Sequence, residues 1–164
     1  MTILIFSDSH SGMQFMRRCV EKIKPDAMIH LGDHYDDGEA IHEENMHIPF
    51  HQVPGNCDKY RMYRPVAEVL SYKVCGVKLY MTHGHNHMVK SGLYRLLQDA
   101  KTEQVQAVLY GHTHTPDCRC EDGMWILNPG SCGHAGGTVG LIEAENGSII
   151  SCRILREEDW EESV

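Results

Sequence analysis

The sequence predicts an α/β domain built on a mixed sheet, or on two sheets packed face to face, and three observations predict it. Short apolar runs at 3–6 and 27–31 flank a stretch of helical period. That is the strand–helix–strand unit of a parallel sheet core, complete in about 30 residues. The runs 69–74 and 77–81 flank Cys75-Gly76 and read as an antiparallel hairpin. Finally, five candidate strands end in Asp, Asn or His, four of them with a Gly adjoining the polar residue. In open α/β sheets ligands bind beyond the carboxyl ends of strands, so the third observation also says where a site would lie.

The elements follow in order. Ile3-Leu4-Ile5-Phe6-Ser7-Asp8-Ser9-His10 is an apolar strand whose tip carries Asp8 and His10 at alternate positions, free to leave on one side. A helix then runs to about Lys24, with Phe15, Met16, Cys19, Val20 and Ile23 on one face, and Pro25 closes it. The second strand, 27–31, ends in Gly32-Asp33. Segment 36–46 is polar, a short helix or a loop. A third strand, 48–53, ends in Pro54-Gly55-Asn56-Cys57-Asp58, and the second hairpin arm ends in Thr82-His83-Gly84-His85. A helix over 90–102 presents Leu93, Leu96 and Leu97. The strand 105–110 ends in Gly111-His112-Thr113-His114. Strands at 123–127, 138–143 and 148–155 complete the chain, with the turn Asn128-Pro129-Gly130-Ser131 after the first. Cys118-Arg119-Cys120 has one intervening residue, too few for a zinc half-site, and reads as a strand passing through.

Residues 1–164 suit a single domain, which at this size buries about 70% of its unfolded surface. The net charge is −8, and residues 156–164 alone hold one Arg against five Asp and Glu. That acidic stretch reads as a solvated end. No basic run with interleaved aromatics is found, so nucleic acid is not expected as an obligatory partner. No apolar run reaches membrane-spanning length, and no basic segment precedes a long apolar one as in a signal peptide. Seven scattered Cys, an odd number, read as reduced thiols, and a cytoplasmic location is expected.

One Asp or His at a loop tip is uninformative. Five strand ends of one domain carrying only metal-ligand residue types are not. Asp8, His10, Asp33, Asn56, His83, His112 and His114 mix imidazole with oxygen donors, which suits zinc, manganese, iron, nickel or cobalt rather than calcium. Seven ligands exceed one tetrahedral site and fit two ions sharing a carboxylate. Other histidines, among the twelve, are read blandly. His30 lies inside an apolar strand and is a satisfied core residue. His34, His42, His47 and His51 are expected to be solvated, and neither His87 nor His134 is taken as a ligand.

Asp8-Ser9-His10, Gly32-Asp33, Gly55-Asn56-Cys57-Asp58, His83-Gly84-His85 and Gly111-His112-Thr113-His114 together resemble the five ordered motifs of the calcineurin-like metallophosphoesterases, over residues 8–114. The short length and Gly-Asn-Cys-Asp resemble the small YfcE-like phosphodiesterases. The resemblance implies a four-layer α/β/β/α sandwich of two mixed sheets flanked by helices. It implies two divalent transition-metal ions, manganese first among the candidates. Asp8, His10 and His114 would hold one, Asn56, His83 and His112 the other, and Asp33 would bridge them. Asp33, Asn56 and His83 would be central to catalysis. The family reaction is two-metal hydrolysis of a phosphoester, with ions about 3.5–4 Å apart activating a water. Cys57, His85, Asn128 and Ser131 are the candidate substrate contacts. Cys57 departs from the wider family, many of whose members carry a His there, thought to protonate the leaving group or bind phosphate. Asp58, which would orient that His, is left without an evident catalytic role. The expected partner is a small phosphodiester, and self-association is compatible with the chain. The alternative is a non-catalytic interaction scaffold on the same fold, as in the retromer scaffold subunit.

Overall fold

Ile3, Leu4, Ile5 and Phe6 have no exposed surface, so β1 (Thr2–Phe6) is covered on both faces. A strand buried on two faces needs a layer on each side. Alternate residues supply both. In a computed structural model, which describes residues 1–58, 65–133 and 137–160, Ile3 and Ile5 point into a core shared with the second sheet. Leu4 and Phe6 point into one shared with helices α1 (Met13–Ile23) and α2 (Tyr35–Glu44).

β1 pairs in parallel with β2 (Ala27–His30), which pairs in parallel with β3 (Phe50–Gln52). On its other side β1 runs antiparallel to β9 (Thr138–Glu145), which pairs with β10 (Ser148–Arg156). The second sheet has the order β4-β5-β6-β8-β7, from β4 (Val69–Val74), β5 (Val77–Thr82), β6 (Ala107–Leu109), β7 (Asp117–Glu121) and β8 (Met124–Asn128). Its inner face brings Leu79, Met81, Leu109 and Leu127 against Ile3, Ile5, Ile29 and Ile142. Its outer face packs Tyr80, Val108 and Ile126 on Leu96 and Ala100 of α3 (Tyr94–Thr102). Helix, sheet, sheet and helix form four layers, the expected sandwich.

The segment read as helix or loop is helical, with Gly38 and Ile41 buried. The helix expected over 90–102 is shorter. Residues Val89–Ser91 form a 3₁₀ turn, Gly92 at φ +138° breaks the chain direction, and α3 begins at Tyr94. β3 is narrower than 48–53 because it is held between Pro49, which has no N–H, and Pro54. Among the described residues, no helix is long and apolar enough to cross a membrane. Cys118 of β7 and Cys152 of β10 bring their thiols within 3.4 Å where the two sheets meet.

Five strand ends define the functional face: those of β1, β2, the segment after β3, β5 and β6. Gly111 N–H donates to His83 O at 3.0 Å and Asp8 N–H to Gly32 O at 2.9 Å, so their loops are stitched edge to edge.

Candidate metal centre

Asp8 sits at the tip of β1 with no exposed surface. Its Oδ2 accepts the Ser7 hydroxyl at 2.5 Å and the His112 N–H at 3.1 Å. Its Oδ1 is buried without a hydrogen bond, although His114 Nε2 lies 3.0 Å away and His83 Nε2 4.0 Å away. Burial, with the charge of Asp33 adding to it, pushes the Asp8 carboxyl up to about 7, against the Ser7 and His112 hydrogen bonds and the Lys90 charge. A buried carboxylate facing a second carboxylate is stabilised by a cation between them.

His83 states the same requirement from the other sheet. It is fully buried, and its Nδ1–H donates to Leu31 O at 2.8 Å. A carbonyl accepts only, so Nδ1 carries the proton. Burial pushes the imidazole down to about 4, against the pull of Asp33, so at pH 7 it is neutral and Nε2 presents a lone pair. That lone pair faces Asn56 Oδ1 at 3.2 Å, Asp33 Oδ2 at 3.5 Å and Asp8 Oδ1 at 4.0 Å. A lone pair turned on three oxygen acceptors fits a bound cation. Such hydrogen-bonded orientation of a ligand imidazole is also typical of metal sites.

Asp33, 3% exposed, takes the Cys57 N–H on Oδ1 at 2.9 Å. Burial would raise its carboxyl, but His83, Cys57 and His10 hold it below the usual carboxylate range. Donor atoms of Asp8, His10, Asp33 and His114 all lie within 4.8 Å of one another. His10 Nε2 and His114 Nε2 are 3.4 Å apart. On the far side of His83, the His112 ring centroid is 5.1 Å away. Burial lowers the His112 imidazole, helped by Lys90. All seven expected ligands therefore converge on one face, four in a tight cluster and, beside it, His83 with Asn56 and His112 around it.

The backbone carries a matching signature. Asp8, His10, Asp33, His34, His112 and His114 all have positive φ, between +41° and +68°. Such left-handed geometry costs about 1–2 kcal/mol for a residue with a Cβ, and concentrates at functional sites. The neighbouring glycines are there for space. A Cβ on Gly55 would meet Asp33 Oδ1 at 2.0 Å, and one on Gly111 would meet Ser7 Oγ at 2.0 Å.

The candidate substrate contacts divide. Asn128 is buried, with Nδ2 donating to Gly111 O and Thr113 Oγ1 and Oδ1 accepting from Gly130 N–H. Ser131 donates to Asp8 O at 2.7 Å. Both brace the ligand loops through the backbone. Cys57 is exposed, and burial of its sulfur, with Asp33, Asp58 and Asp8 nearby, pushes the thiol up to about 11. His85 is half-buried, its ring 5.5 Å from that of His83 and 6.2 Å from that of His112. His87 lies apart, against Tyr80 and Asp99, and His134 falls outside the described residues.

Two residues gain roles that the sequence did not reveal. Asp58, 1% exposed, accepts the N–H groups of Asp33, Gly55 and Tyr35. Its partners are backbone amides, which no motif names. His34 is not solvated as expected: its side chain is 26% exposed and its ring packs edge-on against His10 at 4.9 Å. Positive φ turns it back over the site, a conformation that composition and period do not signal. His30, as expected, is a satisfied core residue. Nδ1 accepts the Gly32 N–H, Nε2 donates to Ser9 Oγ, and Ser9 donates to Asp37.

Residues 1–147 match the calcineurin-like phosphoesterase superfamily domain. Phosphodiesterase MJ0936 of Methanocaldococcus jannaschii is 28% identical, over 88% of this chain and 94% of its own. The fold superposes on a predicted phosphoesterase from Streptococcus pneumoniae with a TM-score of 0.74, at 25% identity over 96% and 90% of the two chains. It also resembles Entamoeba histolytica Vps29, solved in complex with zinc, with a TM-score of 0.71 at 18% identity over 95% and 99% of the chains, a likeness of fold.

Proposed function

We propose that this chain, which belongs to the calcineurin-like phosphoesterase superfamily, is a metal-dependent phosphodiesterase acting on a small phosphodiester. The observation that carries the reading is the convergence of acceptor atoms on one point: Asp8, His10, Asp33 and His114 have ligand atoms within 4.8 Å of one another, and His83 Nε2 turns its lone pair toward Asp33, Asn56 and Asp8. Asp8, His10 and His114 would hold one divalent ion, Asn56, His83 and His112 a second, and Asp33 would be shared. Manganese is the first candidate. Bound, the ions would neutralise phosphoryl oxygens and lower the pKa of a water to make it a nucleophile near neutral pH.

The chain's own residues do the rest. His83 is fixed in one tautomer by Leu31 O, so its Nε2 is always available. Cys57 N–H holds one oxygen of Asp33, leaving the other for the centre. The Cys57 thiol, at about 11, is a weak acid and gives a departing alkoxide little help. Diesters with good leaving groups are therefore the preferred substrates. The name of the archaeal relative, a phosphodiesterase, supports the substrate class. A non-catalytic scaffold is the alternative, and ligand-type side chains at all seven positions weigh against it.

The test is hydrolysis of a panel of phosphate mono- and diesters by chelator-stripped protein resupplied with one divalent metal at a time. We expect Mn²⁺-dependent cleavage of bis(p-nitrophenyl) phosphate, abolished by chelation. Absence of turnover with every metal and ester overturns the reading in favour of the scaffold.

A further inference from the structure

We propose that His34 is a substrate-contacting residue, whose imidazole donates a hydrogen bond to a phosphate oxygen of the diester at the His10 side of the centre. The assignment rests on the phosphodiesterase reading above and adds a residue that the seven-ligand set does not contain.

The geometry carries it. His34 follows Asp33 directly and caps α2, with φ +68° and ψ +60°. Thirteen described residues other than glycine have positive φ, among them five of the expected ligands, Ser11 and His34. An ordinary backbone would send this side chain elsewhere. The left-handed one lays the imidazole on the edge of His10, ring centroids 4.9 Å apart and planes at 67°. His10 in turn lies against His114 at 5.0 Å. His10 is thus flanked by both rings, His114 within the Asp8 cluster and His34 outside it.

The position is built. Asp37 Oδ2 accepts Ser9 Oγ–H at 2.7 Å and Ser11 N–H at 2.8 Å, the residues on either side of His10. The same oxygen lies 3.9 Å from His34 Nδ1. One carboxylate therefore frames both His10 and His34. At 3.9 Å Asp37 lies beyond hydrogen-bond reach of Nδ1, so a neutral ring can carry its proton on Nε2, the nitrogen a ligand can use. About a quarter of the side chain is exposed, enough for one contact from solvent. His34 is absent from the tight donor cluster, so a ligand role is not needed to explain its place. An imidazole N–H donates without being charged, and phosphate oxygens are strong acceptors. Opposite, at Asp33, the exposed thiol of Cys57 offers only a weak donor.

Two variants test this on the full chain loaded with Mn²⁺. His34→Gly removes the imidazole and adopts positive φ without strain. His34→Asn tolerates the same backbone and keeps an N–H donor. The readouts are metal content, calorimetric binding of inorganic phosphate, and kcat and KM on bis(p-nitrophenyl) phosphate. We expect unchanged metal content in both. In His34→Gly, phosphate binding should weaken about tenfold or more, the scale of a hydrogen bond to a charged group, with KM rising in step. His34→Asn should recover part of that loss. Unchanged phosphate binding in His34→Gly overturns the proposal, as does loss of metal in both variants, which would make His34 a prop or ligand of the ion. Phosphate binding needs no turnover. A chain that binds phosphate through His34 but cleaves no diester would overturn the phosphodiesterase reading alone.

Discussion

Asp58 Oδ2 accepts the backbone N–H of Asp33 at 2.9 Å, and the same oxygen accepts Gly55 N–H at 2.7 Å. One buried carboxylate thus ties the loop of Asp33, the residue proposed to be shared, to the loop that carries Asn56. Its second oxygen takes Tyr35 N–H at 2.9 Å, at the start of α2. The spacing between the Asp33 and Asn56 loops is held by this side chain.

Asp58→Ala should therefore destabilise the chain and loosen metal binding together. Three N–H groups lose their acceptor, and an unsatisfied buried donor costs about 1–3 kcal/mol. A loss of several kcal/mol in denaturant unfolding of the metal-free protein is expected. Asp58→Asn, which keeps the shape but turns an NH₂ toward a donor, should lose less stability yet still weaken Mn²⁺ binding in calorimetry. Wild-type metal affinity in Asp58→Asn would show that the clamp does not set the centre's spacing.

Asp33 is the residue expected to be shared, so its loss should be felt twice. Elemental analysis under saturating Mn²⁺ should give two ions per chain for wild type and fewer than one for Asp33→Ala. No more than one ion in wild type would end the binuclear reading. Asp8→Asn, on one side only, should leave the Asn56, His83 and His112 half able to bind.

The strands were legible as short apolar runs, whereas the four-layer order was implied by the family resemblance. A continuous apolar run does not say that Ile3 and Ile5 enter one core and Leu4 and Phe6 another, while the apolar face of α1 was visible in its period. The ligand face was legible because metal-type residues are rare at strand ends in such numbers. Asp58 and His34 were not. The first acts on backbone amides, which carry no residue identity. The second acts through a positive φ at a residue with a Cβ, where tertiary contacts override local preference. The break at Gly92 shortened α3 for a related reason, since a glycine inside a helical period does not reveal its φ until it is placed.

The buried groups predict opposing pH slopes in the metal-free protein. His30 has a folded pKa of about 4, pushed down by burial, against about 6.5 unfolded. The unfolded chain binds that proton more readily, so this stability is present above about pH 6.5 and is lost as pH falls through 4, on the order of 3 kcal/mol. Asp8, raised to about 7 from 3.8, works the other way. Its contribution is present below about pH 4 and is lost as pH rises through 7. Unfolding free energies from pH 4 to 7 should therefore fall more steeply toward acid in Asp8→Asn than in wild type. His30→Gln should shift the slope in the opposite sense. Identical slopes in all three proteins would mean that neither group is perturbed.

Cys57 gives the sharpest chemical prediction. Its backbone N–H and its thiol both serve the Asp33 carboxylate, and the N–H bond survives a change of side chain at this position. The thiol, held near 11, is protonated at neutral pH and a poor proton donor to a leaving alkoxide. Cys57→Ala should keep both ions and hydrolyse nitrophenyl diesters at close to the wild-type rate, since nitrophenolate departs without a proton. Cys57→His would introduce an imidazole at the same point. General acid help is worth about 10²–10⁴-fold where it is fully expressed, so the gain should be largest on alkyl esters and small on nitrophenyl ones. The added positive charge would also favour dianionic monoesters over diesters. The measurement is kcat/KM for the three proteins on activated and unactivated mono- and diesters, with metal content checked in each. Loss of diester hydrolysis in Cys57→Ala with both ions retained would make the sulfur itself a catalytic group, and the passive role assigned to it would be wrong.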